Sequence, residues 1–251
     1  MNTFTFRFFA VTLALFLSGP VISQSLKIET IPGAPWGFIG DNGKVTGMMY
    51  EIGNRIAEEA GFNYTNLVVP YARTAIDVES GRADFVLRFP NDQLMRVALP
   101  VAKIVTMPIA VLGPSGTQYH SLSELSGQRI GYIRTSKLVE QFDSNTTMYK
   151  YEVNDYEQMA KMLAAGRLDA GIGSISGLYY GTYMAGVRPE QLGVPLIVGY
   201  NDFVLFFSRK TARPETITAL KNAVKKLTAS GETHQIVNKY NSKFSINLPS
   251  E

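Results

Sequence analysis

Arg96 is the residue whose type and position most directly suggest chemistry. It ends the segment GRADFVLRFPNDQLMR (residues 81–96), in which a short apolar run is followed by a turn. A guanidinium presents a planar fork of N–H donors that matches the two oxygens of a carboxylate. Because open α/β sheets bind ligands beyond the carboxyl ends of their strands, an arginine placed there predicts recognition of an anionic group.

Other arginines could add positive charge to the same region: Arg73, Arg88 and Arg134. Together with Arg96 they would make the ligand-binding region positively charged, which favours ligands with excess negative charge. For Arg73 and Arg88 an alternative stays open, namely structural ion pairs with acids such as Glu51 or Asp77. Trp36 lies in a loop rich in proline and glycine, and this setting favours a position at the cleft over a purely structural one in the core.

A second copy of the opening of this segment occurs about 85 residues later, as GRLDAGIGS (residues 166–174). Each copy follows a predicted helix (72–80 and 155–165), ends that helix with glycine and enters a short apolar strand. Asp84 and Asp169 occupy the same place in the two copies, and we interpret both as structural. The chain therefore predicts two similar α/β units, and the differences between the copies should carry the function.

The remaining pattern predicts two α/β lobes with a ligand cleft between them. The turn at 113–116 marks the first boundary, so that 26–112 begin the first lobe, 113–200 form the second, and 201–251 return to the first. Two chain crossings then join the lobes around a cleft that closes by a hinge. Further strands are predicted at 26–30, 64–69, 104–112, 129–133, 149–153 and 203–208, and further helices at 48–60, 136–142, 175–185, 214–229 and 232–240.

The first 25 residues predict a cleaved secretory signal, with Arg7 before an apolar run at 8–17 and small residues after a Ser-Gly-Pro breaker. A membrane anchor is the alternative, but a run of roughly 10 residues is short of the roughly 20 that span a bilayer. The chain contains no cysteine, so that neither a lipid anchor on cysteine nor a disulfide is possible. We therefore expect a soluble, monomeric, periplasmic protein.

Composition and motifs argue against several other classes of protein. The 251 residues carry a net charge of +3 without clustered Lys or Arg, and nucleic-acid binding is not expected. The two histidines, His120 and His234, suggest no Ser-His-acid trio, so that we expect no catalysis. Phosphate-binding glycine loops and metal-ligand clusters are also missing from the sequence, and no cofactor or metal is expected.

The chain after residue 25 resembles the type-3 extracellular solute-binding proteins, the periplasmic receptors of polar amino acid ABC transporters. The resemblance implies the two-lobed type II periplasmic-binding-protein fold and capture of an amino acid or related carboxylate for an ABC permease. It is carried by segments that occur in the family's order and spacing: Ala34-Pro35-Trp36 followed by Gly43 and Gly47, SGRAD (80–84) with Arg96, LSELSGQRIG (122–131), AGRLDA (165–170) and 231–240.

The resemblance also implies ligand contacts for particular residues: Arg96, Phe89, Asn91, Thr135, Ser136 and Trp36. Arg96 matches the arginine that clamps the α-carboxylate of the ligand, and the loop 89–91 would add backbone and amide hydrogen bonds. Thr135 and Ser136 would offer hydroxyls and free N–H groups at the start of a helix. Trp36 stands near the aromatic residue that stacks on the ligand.

Three departures from the family pattern bear on the ligand. Ser174 stands where amino-acid-binding members have the acid that pairs with the α-ammonium, and a hydroxyl cannot replace that charge. Gly33 stands at the stacking tyrosine, which leaves Trp36 or Tyr71 for stacking. Arg88 replaces a small residue of the binding loop. The ligand is therefore a carboxylate compound or an amino acid held in a different way.

Two other functions remain open at this point. The atypical pocket also suits a sensor that hands its ligand signal to a membrane kinase or cyclase. A few proteins of this fold are periplasmic dehydratases of cyclohexadienyl acids, and in that case Glu51 could act as a proton donor.

Overall fold

The computed structural model of the protein describes residues 25–244. The predicted signal segment lies outside the described residues except for Ser25. The strands are β1 Ser25–Thr30, β2 Phe38–Ile39, β3 Val45–Thr46, β4 Asn63–Val68, β5 Phe85–Arg88, β6 Ala98–Leu112, β7 Arg129–Ile133, β8 Tyr149–Val153, β9 Ala170–Ser174 and β10 Leu196–Ser208. The helices are α1 Met48–Glu59, α2 Tyr71–Ser80, α3 Asp92–Val97, α4 Glu140–Asp143, α5 Tyr156–Ala164, α6 Ile175–Met184, α7 Pro214–Ala229 and α8 Glu232–Asn241.

One sheet runs through the molecule in the order β4-β1-β5-β10-β6-β9-β7-β8. At one end β1 pairs in parallel with β4 and β5, and at the other end β7 pairs in parallel with β8 and β9. The two long strands β6 and β10 are antiparallel to each other and lie between these parallel groups. The two ends of the sheet thus belong to two α/β lobes, and the parallel strands have the same order in each lobe. The predicted two-lobed α/β fold is confirmed.

The two long strands are the connections between the lobes. β10 pairs with β5 of the first lobe through 204–207, and β6 pairs with β9 of the second lobe through 109–112. The change of lobe therefore falls within β6 and β10, and the lobe boundaries at 112 and 200 stay predictions. The sequence indicated only 203–208 for the return strand, because the less apolar residues before it do not form a continuous hydrophobic run.

Asp84 and Asp169 repeat the same backbone connection in the two lobes. The carboxylate of Asp84 accepts a hydrogen bond from the N–H of Lys27 at the start of β1, over 2.8 Å. The carboxylate of Asp169 accepts one from the N–H of Arg129 at the start of β7, over 2.7 Å. Each aspartate therefore ties the turn before its strand to the neighbouring parallel strand, which explains why the motif occurs twice.

No helix between residues 25 and 244 is long and apolar enough to cross a bilayer.

Candidate ligand-binding site

A cavity lies between the lobes, at the carboxyl ends of four parallel strands. Its walls come from the residues that directly follow or end β1, β5, β7 and β8, which is where open α/β sheets place their ligands. The side chains and backbone that line it are Ile31, Pro32, Gly33, Trp36, Tyr71, Phe89, Ile133, Ser136, Leu138, Asn154, Asp155, Tyr156 and Phe203. Both lobes therefore contribute to one site.

The cavity shares six of its lining residues with a groove between the lobes: Pro32, Gly33, Tyr71, Ile133, Asn154 and Asp155. The cavity has a volume of about 40 Å³ and the groove about 420 Å³. Pockets for organic ligands usually measure roughly 300–1,000 Å³. A small organic ligand would therefore need the groove as well as the cavity, or a movement of the lobes or side chains that enlarges the cavity.

Three aromatic side chains form the apolar wall of the cavity on the first lobe. The ring of Phe203 lies 4.8 Å from Trp36 and 4.2 Å from Phe89, measured between ring centroids. The backbone of Trp36 is bound to the start of α1, because its carbonyl accepts hydrogen bonds from the N–H groups of Met49 and Tyr50. Gly47 makes this approach possible: its φ is +133°, and a Cβ there would lie 2.3 Å from the Trp36 oxygen.

Two tyrosines face the cavity from matching positions of the two lobes. Tyr71 is the first residue of α2 and Tyr156 the first residue of α5, and each stands thirteen residues before the aspartate of the repeated motif. The Tyr156 hydroxyl accepts a hydrogen bond from the Ser174 N–H over 3.1 Å. Burial raises the pKa of the Tyr156 hydroxyl, so that the phenol stays neutral.

Within the described part of the chain, Asp155 is the one charged residue that lines the cavity. It caps α5 by accepting a hydrogen bond from the Gln158 N–H over 2.7 Å, and this fixes one of its two carboxylate oxygens. The sequence contains a signal for this position, since Asp155 stands two residues after the predicted strand 149–153 and begins the predicted helix 155–165. That signal indicates a helix cap and does not by itself indicate a position at the cavity.

The structure brings four predicted site residues to the cavity and leaves the others outside it. Trp36, Tyr71, Phe89 and Ser136 line the cavity, and Thr135 lines the adjoining groove. The remaining candidates are not among the lining residues of either: Arg88, Asn91, Arg96, Arg73 and Ser174.

Arg96 lies on the solvent-exposed side of α3. It forms no side-chain hydrogen bond or ion pair with residues 25–244. The reason is the register of the helix: Asn91 caps it, and Leu94 is fully buried. Arg96 follows Leu94 by two residues, which is about 200° further around the helix, so that its side chain points away from the core. This placement does not support the prediction that Arg96 clamps the carboxylate of a ligand.

Asn91 connects the two lobes instead of lining the cavity. Its side-chain oxygen accepts a hydrogen bond from the Leu94 N–H over 2.8 Å, and its amide nitrogen donates to the Thr135 carbonyl over 3.2 Å. Thr135 has a φ of +60°, which is rare for a β-branched residue and places strain next to the cavity. Asn91 and Thr135 thus form a direct polar contact between the lobes at the edge of the groove.

The prediction that Thr135 and Ser136 begin a helix is wrong. The helix α4 begins only at Glu140 and is a single turn, while Ile133 to Ser136 form a tight turn. The Ser136 hydroxyl donates to the Ile133 carbonyl over 2.6 Å, so that it stabilises the turn. A short polar side chain after a strand favours such a turn as much as a helix cap, and the sequence alone did not separate the two.

Ser174 lies behind the cavity wall and caps α6. It is fully buried, and its hydroxyl accepts a hydrogen bond from the Gly177 N–H over 3.2 Å. Its N–H is bound to the Tyr156 hydroxyl, as described above. Tyr156 therefore stands between Ser174 and the cavity, and Ser174 as a ligand contact stays a prediction.

The cleft is less positive than the arginine count predicted. Arg73 pairs with Asp77 over 2.8 Å, which confirms the structural alternative, and its side chain is 60% exposed. Arg134 lines the groove but pairs with Glu152 over 3.3 Å and is 58% exposed. Arg88 is buried beneath Tyr71. None of these guanidinium groups lines the inner cavity.

Glu51 is bound away from the cavity, in a contact between α1 and α8. Burial raises the pKa of its carboxyl, but hydrogen bonds from Lys239, Tyr240 and Thr46 outweigh burial and hold the pKa below its ordinary value. Its oxygens accept these bonds over 2.5–2.9 Å. The lowered pKa of this carboxyl does not support Glu51 as the proton donor of a dehydratase.

Comparison with known proteins agrees with this architecture. A histidine kinase sensor domain with similarity to periplasmic binding proteins gives a TM-score of 0.74 at 16% identity, over 90% of this chain and 99% of that one. A mutant of ArgBP from T. maritima gives 0.73 at 11% identity, over 87% and 95%. The VFT2 domain of Bordetella pertussis BvgS gives 0.73 at 14% identity, over 86% and 93%. At these identities the likeness shows the fold alone.

Sequence comparison is decisive for the family. No curated protein sequence is similar enough to this chain to count as a match. The family model of the bacterial extracellular solute-binding proteins, family 3, matches residues 26–243. The chain therefore belongs to the bacterial extracellular solute-binding proteins, family 3.

Proposed function

We propose that this protein is a periplasmic receptor that closes its two lobes around a small organic solute and delivers it to an ABC transporter. The observation that carries the proposal is the cavity at the strand ends, because residues of both lobes line it and, within residues 25–244, the two strands β6 and β10 connect the lobes. Closure around a ligand in such a cleft is the ordinary hinge motion of two-lobed receptors.

The lining suggests which solutes fit. Five aromatic rings line the cavity, two of them from the tyrosines Tyr71 and Tyr156, and the other polar side chains among its described lining residues are Ser136, Asn154 and Asp155. The ligand therefore has an apolar or aromatic body with few polar groups. An amino acid or related carboxylate remains the proposed class, with the free oxygen of Asp155 available to an ammonium group.

The receptor function can be tested with the mature chain. Native mass spectrometry would identify a ligand that co-purifies, and thermal unfolding would be followed with a panel of amino acids, carboxylates, amines and neutral alcohols. A true ligand at about 100 times its Kd should stabilise the folded state by roughly 2.7 kcal/mol. If nothing co-purifies and no compound of the panel raises the unfolding temperature, the proposal is wrong.

A sensor that signals to a membrane partner is the second candidate. The exposed position of Arg96 favours it, because the anion clamp that the resemblance to transport receptors implies is not formed. Affinity capture with the ligand-loaded chain would separate the two functions. Enrichment of permease and ATPase subunits supports transport, and enrichment of a membrane kinase or cyclase supports sensing.

A further inference from the structure

Arg88 is a fully buried arginine without a counter-ion among the described residues. It is 1% exposed, and its guanidinium lies 3.7 Å from the centroid of the Tyr71 ring. Its Nη1 donates to the Thr74 hydroxyl over 2.6 Å and to the Tyr71 carbonyl over 3.2 Å. Its Nε and Nη2 are buried and have no hydrogen-bond partner within residues 25–244. One edge of the guanidinium is satisfied by neutral oxygens and the other is not.

The unsatisfied edge is the one that this protein uses elsewhere to bind carboxylates. Three other arginines direct both Nε and Nη2 at one acidic side chain: Arg55 at Glu232, Arg82 at Asp77 and Arg129 at Asp169. This side-on geometry holds a planar carboxylate with two N–H donors. Arg88 offers the same pair of donors, but no acid of the chain between residues 25 and 244 is bound to it.

Burial of an arginine without an anion is costly, because its positive charge loses the stabilisation by water and gains no ion pair in exchange. The Tyr71 hydroxyl is also buried and has no hydrogen-bond partner within residues 25–244. Two neighbouring side chains thus present unsatisfied donors where no acceptor of the described chain reaches them. Such a set is complementary to a group rich in acceptors, and a carboxylate is the group that suits the planar edge of Arg88.

Arg88 lies directly behind the cavity wall. The next residue along β5, Phe89, lines the cavity, and so does Tyr71, whose ring covers the guanidinium. Its strand partner on β10 is Val204, and the neighbouring Phe203 lines the cavity as well. Tyr71 is thus the side chain that stands between the Arg88 guanidinium and the cavity, and a ligand in the cavity reaches Arg88 only if this ring moves.

We propose that Arg88, and not Arg96, recognises the anionic group of the ligand: a carboxylate binds to Nε and Nη2 of Arg88 and to the Tyr71 hydroxyl. This inference rests on the proposed receptor function. The apolar body of the ligand then lies against the aromatic wall of Trp36, Phe89 and Phe203. The ligand class is a monocarboxylate with an apolar or aromatic body.

Calorimetry with size-matched probes tests the inference. The probes are 3-phenylpropionate, phenethylamine and 3-phenylpropanol, with hexanoate, hexylamine and hexanol as the aliphatic series. The wild type should bind the carboxylates more tightly than the matched amines and alcohols. Arg88→Met should weaken carboxylate binding about 30-fold or more, because a desolvated carboxylate is left unpaired. Arg96→Met is the matched control and should bind like the wild type.

Stability separates a ligand-binding role from a structural one. Without ligand, Arg88→Met should unfold at the same or a higher urea concentration than the wild type, since it replaces a buried unpaired charge by an apolar side chain. A lower midpoint with undiminished carboxylate binding would show that Arg88 is structural. If Arg88→Met does not fold, Arg88→Lys keeps the charge but not the side-on pair of donors, and should bind the carboxylates about 10-fold more weakly.

The remaining outcomes are distinct from failure of the receptor function. Unchanged carboxylate binding in a folded Arg88→Met variant overturns the inference. So does a wild type that binds only the amines or alcohols, or none of the six probes. In each of these cases the receptor proposal is judged separately, by the co-purified ligand and by the wider panel described above.

Discussion

Glu29 should make the stability of this protein fall between pH 6 and pH 8. It lies on β1, is 7% exposed and faces Asp77 of α2, which is 1% exposed. Arg73 and Arg82 both donate to Asp77 and keep that carboxylate ionised. Burial, followed by the hydrogen bond to Asp77, raises the pKa of Glu29 from 4.5 to about 8. The folded state therefore holds a proton on Glu29 that the unfolded state releases near pH 4.5.

The sign and size of the effect follow from proton linkage. Because the folded-state pKa is the higher one, the stabilisation is fully present below pH 4.5 and is lost as the pH rises through 8. The difference between the folded-state and unfolded-state pKa values corresponds to a contribution of roughly 5 kcal/mol to the free energy of unfolding, at about 1.4 kcal/mol per pKa unit. About 2 kcal/mol of this should be lost between pH 6 and pH 8, and little more above pH 9.

Glu29→Gln removes the titration and keeps the contact, since the amide can donate to Asp77 as the protonated carboxyl does. Urea unfolding at pH 6, 7 and 8 should show the free energy of unfolding of the wild type falling by about 2 kcal/mol relative to Glu29→Gln. Glu79→Gln, an exposed position on the same helix α2, is the control and should follow the wild type. Equal pH slopes for Glu29→Gln and the wild type would refute the reasoning.

Three further substitutions test the geometry around the cavity. In Gly177→Ala the new Cβ would lie 2.3 Å from the Tyr156 ring, so that urea unfolding should show a loss of about 1–3 kcal/mol; Gly53→Ala, whose nearest neighbour is 3.5 Å away, should cause no such loss. Thr135→Gly should raise the free energy of unfolding by about 0.5–1 kcal/mol, because glycine adopts the positive φ without strain; a destabilised variant would contradict this. Asp155→Ala should lower it by about 1 kcal/mol through loss of the α5 cap, and Asp155→Asn by clearly less; equal losses would show that capping is not the cause.

The fold could be predicted well because its signals are local. Gly81 ends α2 with a φ of +77°, as the glycine after the predicted helix indicated. Asp155 caps α5, and Pro214 begins α7 at the predicted residue. Each of these signals depends on a few neighbouring residues, and the repeated Arg-x-Asp motif then showed that the units recur.

The site was harder to predict, because it depends on how helices are rotated against the sheet. Arg96 stands twelve positions after Asp84, as the family spacing requires, but this spacing does not show that Asn91 caps α3 and that Leu94 points inward. Arg88 was left undecided between the cleft and an ion pair with Glu51 or Asp77. Both acids are bound by other side chains, and only the coordinates show that Arg88 is bound to neither.

The two lobes differ at the position that the duplication would make equivalent. In the first lobe Tyr71 covers Arg88, which stands four residues after Asp84. Four residues after Asp169 stands Gly173, where a Cβ would lie 2.5 Å from the Tyr156 ring. The second tyrosine therefore packs directly onto backbone, while the first packs onto a guanidinium.

This asymmetry has a physical consequence for binding. Tyr156 packs closely against the backbone of Gly173 and Gly177, so that there is no space behind its ring for a ligand group. A tyrosine that covers a charged, half-satisfied guanidinium can exchange that contact for a ligand that brings an anion, since the anion removes the cost of the buried charge. If both lobes arose from one α/β unit, the difference between Arg88 and Gly173 is what separates the two similar aromatic walls, since one tyrosine packs on a charged side chain and the other on backbone.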